Sequence, residues 1–208
     1  MKSSFASAAA LIVAAANAMP MAGSSWGPQG TSELATFDDL TATPLLSELS
    51  PVGTYKGLNW AALDVLQAGV AGIEEGVQPQ SGANVAVNGV TDTLLNGALS
   101  ITAKTVKSFD LESAYFGCAI NTLETVASVP QQCTVAFTAY KFGVASPFHT
   151  VNQSFSPSDL LNSEMTQAIF DYNYEGVDRV DVAVVGGVTP GTLVGLLIDN
   201  VQYTTYAQ

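Results

Sequence analysis

Residues 133 to 141 read CTVAFTAYK, and this stretch carries the clearest structural signal in the sequence. Its apolar residues occupy every second position, and threonines stand between them. Alternation with a period of two is typical of a β-strand that buries one face and exposes the other. The apolar face consists of Cys133, Val135, Phe137 and Ala139, and the polar face contains Thr134 and Thr138. The chain is therefore expected to build its core from strands.

The same alternation recurs along the chain. In VDRVDVAVV (177–185) three valines face one way, whereas Arg179 and Asp181 face the other. Roughly ten such runs, separated by glycine-containing turns, favour an antiparallel sandwich or barrel. The segment SPSDLLNSEMTQ (156–167) is instead expected to form a short helical turn with Ser158 as its N-cap. The expected strand regions are residues 33–40, 54–66, 84–88, 98–104, 108–120, 132–142, 148–155, 166–174, 177–185 and 192–206.

The first twenty residues, MKSSFASAAALIVAAANAMP, have the pattern of a secretory signal peptide over residues 1–18. A lysine precedes an apolar run that is shorter than the about 20 residues of a membrane span, and the small residues before Met19 predict cleavage after Ala18. Residues 19–32 are rich in Gly and Pro and predict a flexible segment. Residues 33–208 predict a single β-sandwich domain. We expect a secreted, extracellular protein without membrane insertion.

The charge balance limits the partners of the protein. Six Lys and Arg residues stand against eighteen Asp and Glu, which gives a formal net charge of −12. Nucleic acids and anionic membranes attract proteins of the opposite charge, so both are excluded as partners. With 48% hydrophobic and 12% charged residues, the chain is not intrinsically disordered.

Two further features are typical of an extracellular protein. Cys118 and Cys133 are the two cysteines of the chain, and an oxidising compartment favours a disulfide between them. Closing a loop of this size stabilises a fold by about 3 kcal/mol in the chain-entropy model. The sequence Asn152-Gln153-Ser154 is an N-x-[ST] sequon, which makes Asn152 a candidate glycosylation site on a surface loop.

The sequence lacks the common catalytic motifs. His149 is its one histidine, and neither a G-x-S-x-G nor an H-E-x-x-H motif is present. We therefore assign no catalytic residue and expect no enzymatic activity. Because glycoside hydrolysis needs only two suitably spaced carboxylates, a polysaccharide hydrolase or lyase is kept as a third alternative.

Six short motifs occur in a fixed order. They are TFDDL (36–40), YKGLNW (55–60), SGANVAVN (81–88), FDLESAYF (109–116), GVDRV (176–180) and LVGLLIDNVQY (193–203). In this order the sequence resembles secreted fungal and bacterial β-sandwich proteins of the jelly-roll, galactose-binding-like type, which include many carbohydrate-binding modules. The resemblance implies an all-β antiparallel jelly-roll fold over residues 33–206. It implies no single activity, because such proteins serve as lectin-like modules, adhesins, enzyme appendages and secreted effectors.

The resemblance also bears on a carboxylate within LLIDNVQY (196–203). In such proteins the first and last strands often share a structural calcium ion. Strand parity turns Asp199 inward on the last strand, and it turns Asp38 inward on the first, together with Leu34 and Leu40. Two buried carboxylates repel each other unless a cation joins them, and calcium prefers oxygen ligands. The alternative is that the strand ends at Asp199, whose side chain caps a turn by accepting backbone N–H bonds.

Two groups of aromatic residues are candidates for ligand binding. Tyr172, Asn173 and Tyr174 offer flat rings and hydrogen-bonding groups to a sugar, and Tyr55 and Trp60 form a second group. The alternative for the first group is an inward stripe of one strand, in which the aromatic rings belong to the core.

These observations lead to two main expectations about function. The first is a secreted fungal protein that binds extracellular carbohydrate or glycan at a cell wall or host surface. The second is a secreted effector or elicitor that acts on a host surface protein through protein contacts. Structural calcium is the one candidate cofactor in either case, and the turn cap at Asp199 is its alternative.

Overall fold

The structure is a computed structural model and describes residues 29–42, 50–68, 76–88, 99–120, 129–159, 161–188 and 194–208. Within these ranges it contains fourteen β-strands and one 3-10 turn. The strands are β1 (Gly30–Ala35), β2 (Ser50–Tyr55), β3 (Leu58–Gln67), β4 (Gly76–Gln78), β5 (Asn84–Asn88), β6 (Leu99–Ala103), β7 (Ser108–Ile120), β8 (Val129–Pro130), β9 (Cys133–Tyr140), β10 (His149–Phe155), β11 (Asn162–Glu164), β12 (Thr166–Ile169), β13 (Arg179–Gly186) and β14 (Val194–Tyr206). The 3-10 turn spans Tyr172–Tyr174.

Twelve of these strands form one curled antiparallel sheet. Its main path runs β10-β9-β13-β6-β3-β5-β14-β7-β12, with β1 beside β14, β2 beside β3 and β8 beside β7. The two ends of the path lie next to each other, because β10 contacts both β7 and β12. The sheet therefore folds over on itself into two layers, which confirms the predicted all-β antiparallel sandwich. Strands β4 and β11 form a separate parallel pair.

Strand β3 takes part in both layers. Its first half, Leu58–Ala61, pairs with β6, and its second half, Asp64–Gln67, pairs with β5. Between the halves Ala62 has a φ of 57°, a left-handed conformation that costs a residue with a side chain about 1 kcal/mol. Ala62 thus marks the point where β3 changes its partner from β6 to β5.

The buried residues form one hydrophobic cluster between the layers. The alternation predicted for residues 133–139 is confirmed, since Cys133, Val135, Phe137 and Ala139 are all buried. Aromatic rings cross the layers, for example Phe116 on β7, whose ring centroid lies 5.9 Å from that of Phe137 on β9.

The predicted disulfide is confirmed, and it joins the same two strands. Cys118 on β7 and Cys133 on β9 are bonded, with their Cα atoms 6.2 Å apart. These strands are not hydrogen-bonded to each other, so the covalent link connects regions that the backbone ladder leaves separate.

The structure corrects two local expectations. The helical turn predicted within residues 156–167 is wrong, because part of this segment forms β11, and β12 begins at Thr166. The one helical turn described lies further on, at residues 172–174. Strand β1 begins at Gly30, so the last residues of the predicted flexible segment 19–32 belong to the sheet. The predicted signal peptide lies outside the described residues.

This three-residue turn is the one helical element in the described ranges, and none of them contains a helix of the length and apolarity that crossing a membrane requires.

Candidate functional site

Most of the predicted sugar-stacking residues are part of the core. Trp60 and Tyr174 are each 1% exposed, and Tyr55 is also buried. The indole Nε1 of Trp60 donates to the Tyr55 carbonyl oxygen at 3.0 Å, and the ring of Trp60 meets that of Phe37 edge-on. A ring without exposed surface cannot stack on a sugar, so the assignment of Trp60, Tyr55 and Tyr174 to a ligand site is corrected to a packing role.

Tyr174 shows how the core uses a polar aromatic residue. Its hydroxyl donates to the Phe137 carbonyl oxygen at 2.7 Å and accepts from the Val151 amide at 3.2 Å, so one side chain connects β9 and β10. Burial raises the pKa of Tyr174 to about 12, which keeps the hydroxyl protonated as a donor. The alternative that this ring belongs to the core is the one that agrees with the structure, although the residue lies in a 3-10 turn rather than in a strand.

The neighbouring Tyr172 and Asn173 have a different environment. Tyr172 is 73% exposed. Asn173 is held in place by Asp171, whose carboxylate accepts from both the backbone amide and the side-chain amide of Asn173 at 3.0 Å. Of the predicted stacking rings, Tyr172 is therefore the one that solvent can reach.

Asp199 lies where β14 changes its partner. On one side of β14, residues 196–198 pair with β5 and residues 201–206 pair with β1. On the other side of β14, the register with β7 shifts between Asp199 and Gln202, and Asn200 has a φ of 44°. Asp199 is completely buried at this point, which confirms its predicted inward orientation.

The loop before β5 supplies the partners of the Asp199 carboxylate. The Ser81 amide donates to Oδ2 at 3.0 Å, and the Asn200 amide donates to Oδ1 at 2.7 Å. The Gln80 amide adds a further donor. Burial outweighs these bonds and raises the pKa of Asp199 to about 6. The Asp199 carboxylate thus accepts hydrogen bonds from backbone amides at the point where β14 is paired with neither β5 nor β1.

Asp38 does not have the orientation that strand parity predicts. The alternation continues to Asp38, but the face predicted to point inward points outward: Leu34 and Asp38 are exposed, whereas Ala35 and Phe37 are buried. The prediction of two buried carboxylates is wrong, because one of the two is exposed to solvent.

Asp38 and Asp199 nevertheless meet at the same loop. Asp38 Oδ1 accepts from the amides of Ala83 and Asn84 at 3.0 and 3.1 Å, and its Oδ2 accepts from the Ser81 hydroxyl at 3.3 Å. Three of the four carboxylate oxygens therefore accept backbone N–H bonds. The Ser81 hydroxyl near the fourth oxygen also lies 2.7 Å from Asn200 Oδ1, to which it can donate instead. The sequence predicted that Asp38 and Asp199 lie close together. It did not predict that groups of residues 81–84 donate hydrogen bonds to both carboxylates.

This arrangement does not fit a calcium ion. Calcium needs six to eight oxygen ligands, and the groups that surround the two carboxylates are mostly hydrogen-bond donors. In the described part of the chain, no three His, Cys, Asp or Glu side chains are grouped closely enough to hold a metal ion. Asp199 accepts backbone N–H bonds, as the alternative predicted, but the strand does not end there, because β14 continues to Tyr206. Calcium binding stays a prediction that these contacts do not support.

The predicted glycosylation site is exposed. Asn152 lies on strand β10, at the end of the main sheet path, rather than on a loop, and its side chain is on the exposed face of that strand. Attachment of a glycan to Asn152 stays a prediction.

A surface groove of about 720 Å³ lies beside the ends of β6, β9 and β13, away from all these residues. Three elements form it: the segment that follows β6, the turn between β9 and β10, and the start of β13. Its lining combines aromatic, basic and apolar side chains, namely those of Thr102, Ala103, Lys104, Val106, Lys107, Tyr140, Phe142, Val144, Ala145, Asp178, Arg179 and Gln208.

The turn after β9 places an aromatic ring at the edge of the groove. The Val144 amide donates to the Lys141 carbonyl oxygen at 3.0 Å, and Gly143 has a φ of 78°. This combination defines a type II turn, in which the third position needs a positive φ and therefore favours glycine. Phe142, at the second position, is 87% exposed.

Arg179 is positioned by contacts on two sides. Its guanidinium carbon lies 3.7 Å from the centre of the Tyr140 ring. Its Nε lies 3.1 Å from Asp181 Oδ1, although it is not aligned for a hydrogen bond. Arg179 and Asp181 are half-buried and lie on the face opposite to the buried Val180 and Val182, as their predicted outward parity requires. The ring of Tyr140 packs against the guanidinium at the groove.

A second hollow of about 530 Å³ adjoins the groove, and both are lined by Lys107. Tyr172 and Lys141 line the second hollow, so the exposed tyrosine of the predicted stacking group does stand at a surface depression. Sequence reasoning missed the groove itself. The one feature of the sequence that could have pointed to the groove is its small number of basic residues. The chain has six, and three of them line the groove.

Comparison with known proteins gives the fold but no family. The chain matches no protein-family model. It also matches no curated protein. Among solved structures, it is similar to a DUF4465 family protein from Bacteroides caccae, with 11% identity, a TM-score of 0.50, and coverage of 83% of this chain and 98% of the other. This likeness supports an all-β, jelly-roll-like fold.

Two further similar structures are cyclases. One is an apo-form cyclase from Fischerella sp., with 10% identity, a TM-score of 0.47, and coverage of 85% of this chain and 98% of the other. The other is a Stig cyclase from Fischerella sp. TAU in complex with an indole derivative, with 12% identity, a TM-score of 0.37, and coverage of 89% and 93%.

The cyclases correct the expectation of a protein without catalytic activity. They are enzymes, so an all-β chain of this kind cannot be called non-catalytic because common motifs are missing. At identities of 10–12% neither the reaction nor the ligand of the cyclases transfers to this chain.

Proposed function

We propose that this protein binds extracellular carbohydrate through the groove beside β6, β9 and β13. The observation that carries the proposal is the exposed ring of Phe142 at the edge of an open groove with polar and basic side chains. A sugar ring has a flat, apolar face that packs on an aromatic ring, and its hydroxyls need hydrogen-bonding partners around that contact. Phe142 supplies the first requirement, and Thr102 and the basic side chains supply the second.

The extracellular setting is part of the same proposal. The signal-peptide pattern of residues 1–18 supports export, and the Cys118–Cys133 disulfide supports an oxidising compartment. A cell wall or a host surface offers glycans in that setting.

The proposal is tested by retention on polysaccharides. The protein is incubated with insoluble glucan, chitin and pectin, and the bound fraction is measured for the intact protein, Phe142→Ala and Ile169→Ala. Ile169 is a matched control, because it is also an exposed apolar side chain, at 70%, but does not line the groove. We expect retention that is lost in Phe142→Ala and kept in Ile169→Ala. Retention that both variants keep would place the sugar site elsewhere.

One observation also favours contacts with a host protein. Phe142, Val144 and Phe148 are all exposed on the segment between β9 and β10, and exposed apolar clusters often mark protein interfaces. A host response to the purified protein, without retention on any polysaccharide, would support this second function. Soluble sugar measured in the same incubations would reveal a polysaccharide-degrading activity.

A further inference from the structure

The groove carries positive charge in a strongly acidic protein. Lys104, Lys107 and Arg179 line it, against one carboxylate, that of Asp178. The whole chain has a formal net charge of −12. Since basic residues are scarce in this sequence, their meeting at one groove gives that groove a charge opposite to that of the molecule.

The two lysines leave their charges available. Both are exposed, and neither ammonium group lies within 4.0 Å of a carboxylate among the described residues. Their backbones are nevertheless fixed, because the Lys104 amide donates to the Gly57 carbonyl oxygen at 3.2 Å and the Lys107 amide to that of Tyr206 at 2.8 Å. Fixed backbones with unpaired ammonium groups suit the recognition of an anion.

Arg179 adds directionality to this charge. The ring of Tyr140 supports one face of the guanidinium, and Asp181 lies beside Nε. A planar guanidinium that is held in place matches the two oxygens of a carboxylate. The adjoining hollow shares Lys107 and adds Lys141, whose ammonium group lies 4.0 Å from the centre of the Phe148 ring, but it also contains the carboxylates of Asp110 and Glu175. The excess of positive charge therefore lies in the groove itself.

We infer that the ligand of this groove is an acidic polysaccharide with uronic acid units. The inference rests on the proposed function, and it specifies the class of sugar. A uronate carboxylate binds beside Arg179, its ring packs near Phe142, and carboxylates of neighbouring units interact with Lys104, Lys107 and Lys141.

Affinity for defined polymers tests the inference. Dissociation constants are measured for polygalacturonate, for fully methyl-esterified polygalacturonate and for dextran sulfate, in 50 mM and 500 mM sodium chloride. We expect binding to polygalacturonate that weakens about tenfold in high salt, because ions screen charges at exposed sites. We expect much weaker binding to the esterified polymer, which has the same sugars without the charge.

Single variants locate the effect. Arg179→Gln should weaken binding to polygalacturonate about tenfold, and Lys104→Gln and Lys107→Gln a few-fold each, with melting temperatures close to that of the intact protein. Lys56→Gln is the matched control, because it removes the same charge and Lys56 does not line the groove. Its affinity should be unchanged.

The other outcomes separate the inference from the proposed function. Equal affinity for the charged and esterified polymers, with loss in Phe142→Ala, would overturn the inference and leave the proposed function intact. Binding to dextran sulfate but not to polygalacturonate would overturn the assignment of uronic acid units to the ligand. Tight binding that Arg179→Gln and the two lysine variants leave unchanged would overturn this groove as the anion site. No binding to any of these three polymers would overturn the inference, and retention on insoluble glucan or chitin would then decide the proposed function by itself.

Discussion

At the scale of single residues, Asp199 is the most informative side chain. A completely buried carboxylate is costly unless it is hydrogen-bonded, and here backbone amides of the preceding loop and of Asn200 supply the bonds. These bonds do not fully offset the loss of hydration of the charged carboxylate, and the pKa of Asp199 is therefore raised to about 6. Asp38 contributes to that rise by charge repulsion, after burial as the larger cause.

This raised pKa predicts a dependence of stability on pH. The folded pKa lies above the ordinary value of 3.8, so protonation favours the folded state, and stability is gained as the pH falls through about 6. Between pH 7.5 and pH 5 the gain from Asp199 should be about 1 kcal/mol. Urea denaturation at both pH values, on the intact protein and on Asp199→Asn, measures it.

Comparing the pH dependence of stability in the intact protein and in Asp199→Asn separates the contribution of Asp199 from that of the other carboxylates. Asp199→Asn should lower stability at pH 7.5 by about 1–3 kcal/mol, because the amide has only one acceptor oxygen for the surrounding N–H groups. Its change between the two pH values should be smaller than that of the intact protein. An equal change in both would mean that Asp199 does not titrate in this range.

Gly82 is a second residue with a sharp expectation. It has a φ of 54°, and a Cβ atom at this position would lie 2.0 Å from Asp38 Oδ1. Gly82→Ala must therefore displace the Asp38 carboxylate and break its bonds to the next two amides, at a cost of about 2–4 kcal/mol including the backbone strain. Thermal or urea unfolding measures this loss.

Gly143 provides the matched comparison. Its φ of 78° is also positive, but a Cβ atom would have no neighbour within 4 Å. Gly143→Ala should therefore lose only about 1 kcal/mol, from the backbone conformation alone. Equal losses in the two variants would show that the contact with Asp38 contributes nothing.

At the scale of elements, the 3-10 turn at residues 172–174 separates two tyrosines with opposite roles. Tyr174→Ala should destabilise the fold by about 3–5 kcal/mol, because it removes a buried ring and two hydrogen bonds between strands. Tyr172→Ala should change stability by less than about 0.5 kcal/mol. A comparison of their melting temperatures tests the assignment, and a stable Tyr174→Ala protein would contradict it.

The loop between β4 and β5 decides the question of calcium. Because its N–H groups already bind the oxygens of Asp38 and Asp199, we expect the same melting temperature in excess calcium and in chelator. Calcium at a hundred times its dissociation constant would add about 2.7 kcal/mol. A melting temperature that rises with calcium, and does so much less in Asp199→Asn, would restore the predicted metal site.

Individual elements also show what the sequence can predict. The runs at 84–88 and 108–120 match β5 and β7 residue for residue, because clear strand patterns are bounded by turn residues. The orientation predicted for Asp38 was wrong, because Leu34 was placed on the inward face, whereas the structure buries Ala35 and Phe37 instead. The segment after Ser158 has local helix signals, but Asn162–Glu164 pairs with β4, which is far away in the sequence.

At the scale of the whole molecule, topology decides where the candidate site lies. The groove joins side chains from residue 102 to residue 208, and no local pattern places them together. The order of strands brings the ends of β6, β9 and β13 to one place, and that order depends on long-range pairing. Sequence analysis therefore identified the fold class and individual buried residues, but not the groove.

The disulfide between Cys118 and Cys133 is expected to stabilise the whole molecule. It links two strands that are separated by five others along the main path of the sheet, although the cysteines are only fifteen positions apart in sequence. Replacing both cysteines with serine should lower the free energy of unfolding by about 3 kcal/mol, and guanidinium denaturation of the two proteins measures this loss. An unchanged midpoint would mean that packing alone joins the layers.

Strand β14 sets the order of events during protein synthesis. It lies between β7 on one side and β1 and β5 on the other, and it begins only at Val194. Strand β1 leaves the ribosome early but finds its partner only after residues 201–206 have been made. Until then β1, β5 and β7 all lack the strand with which they pair. The sheet can therefore close only after the last strand along the chain has been synthesised.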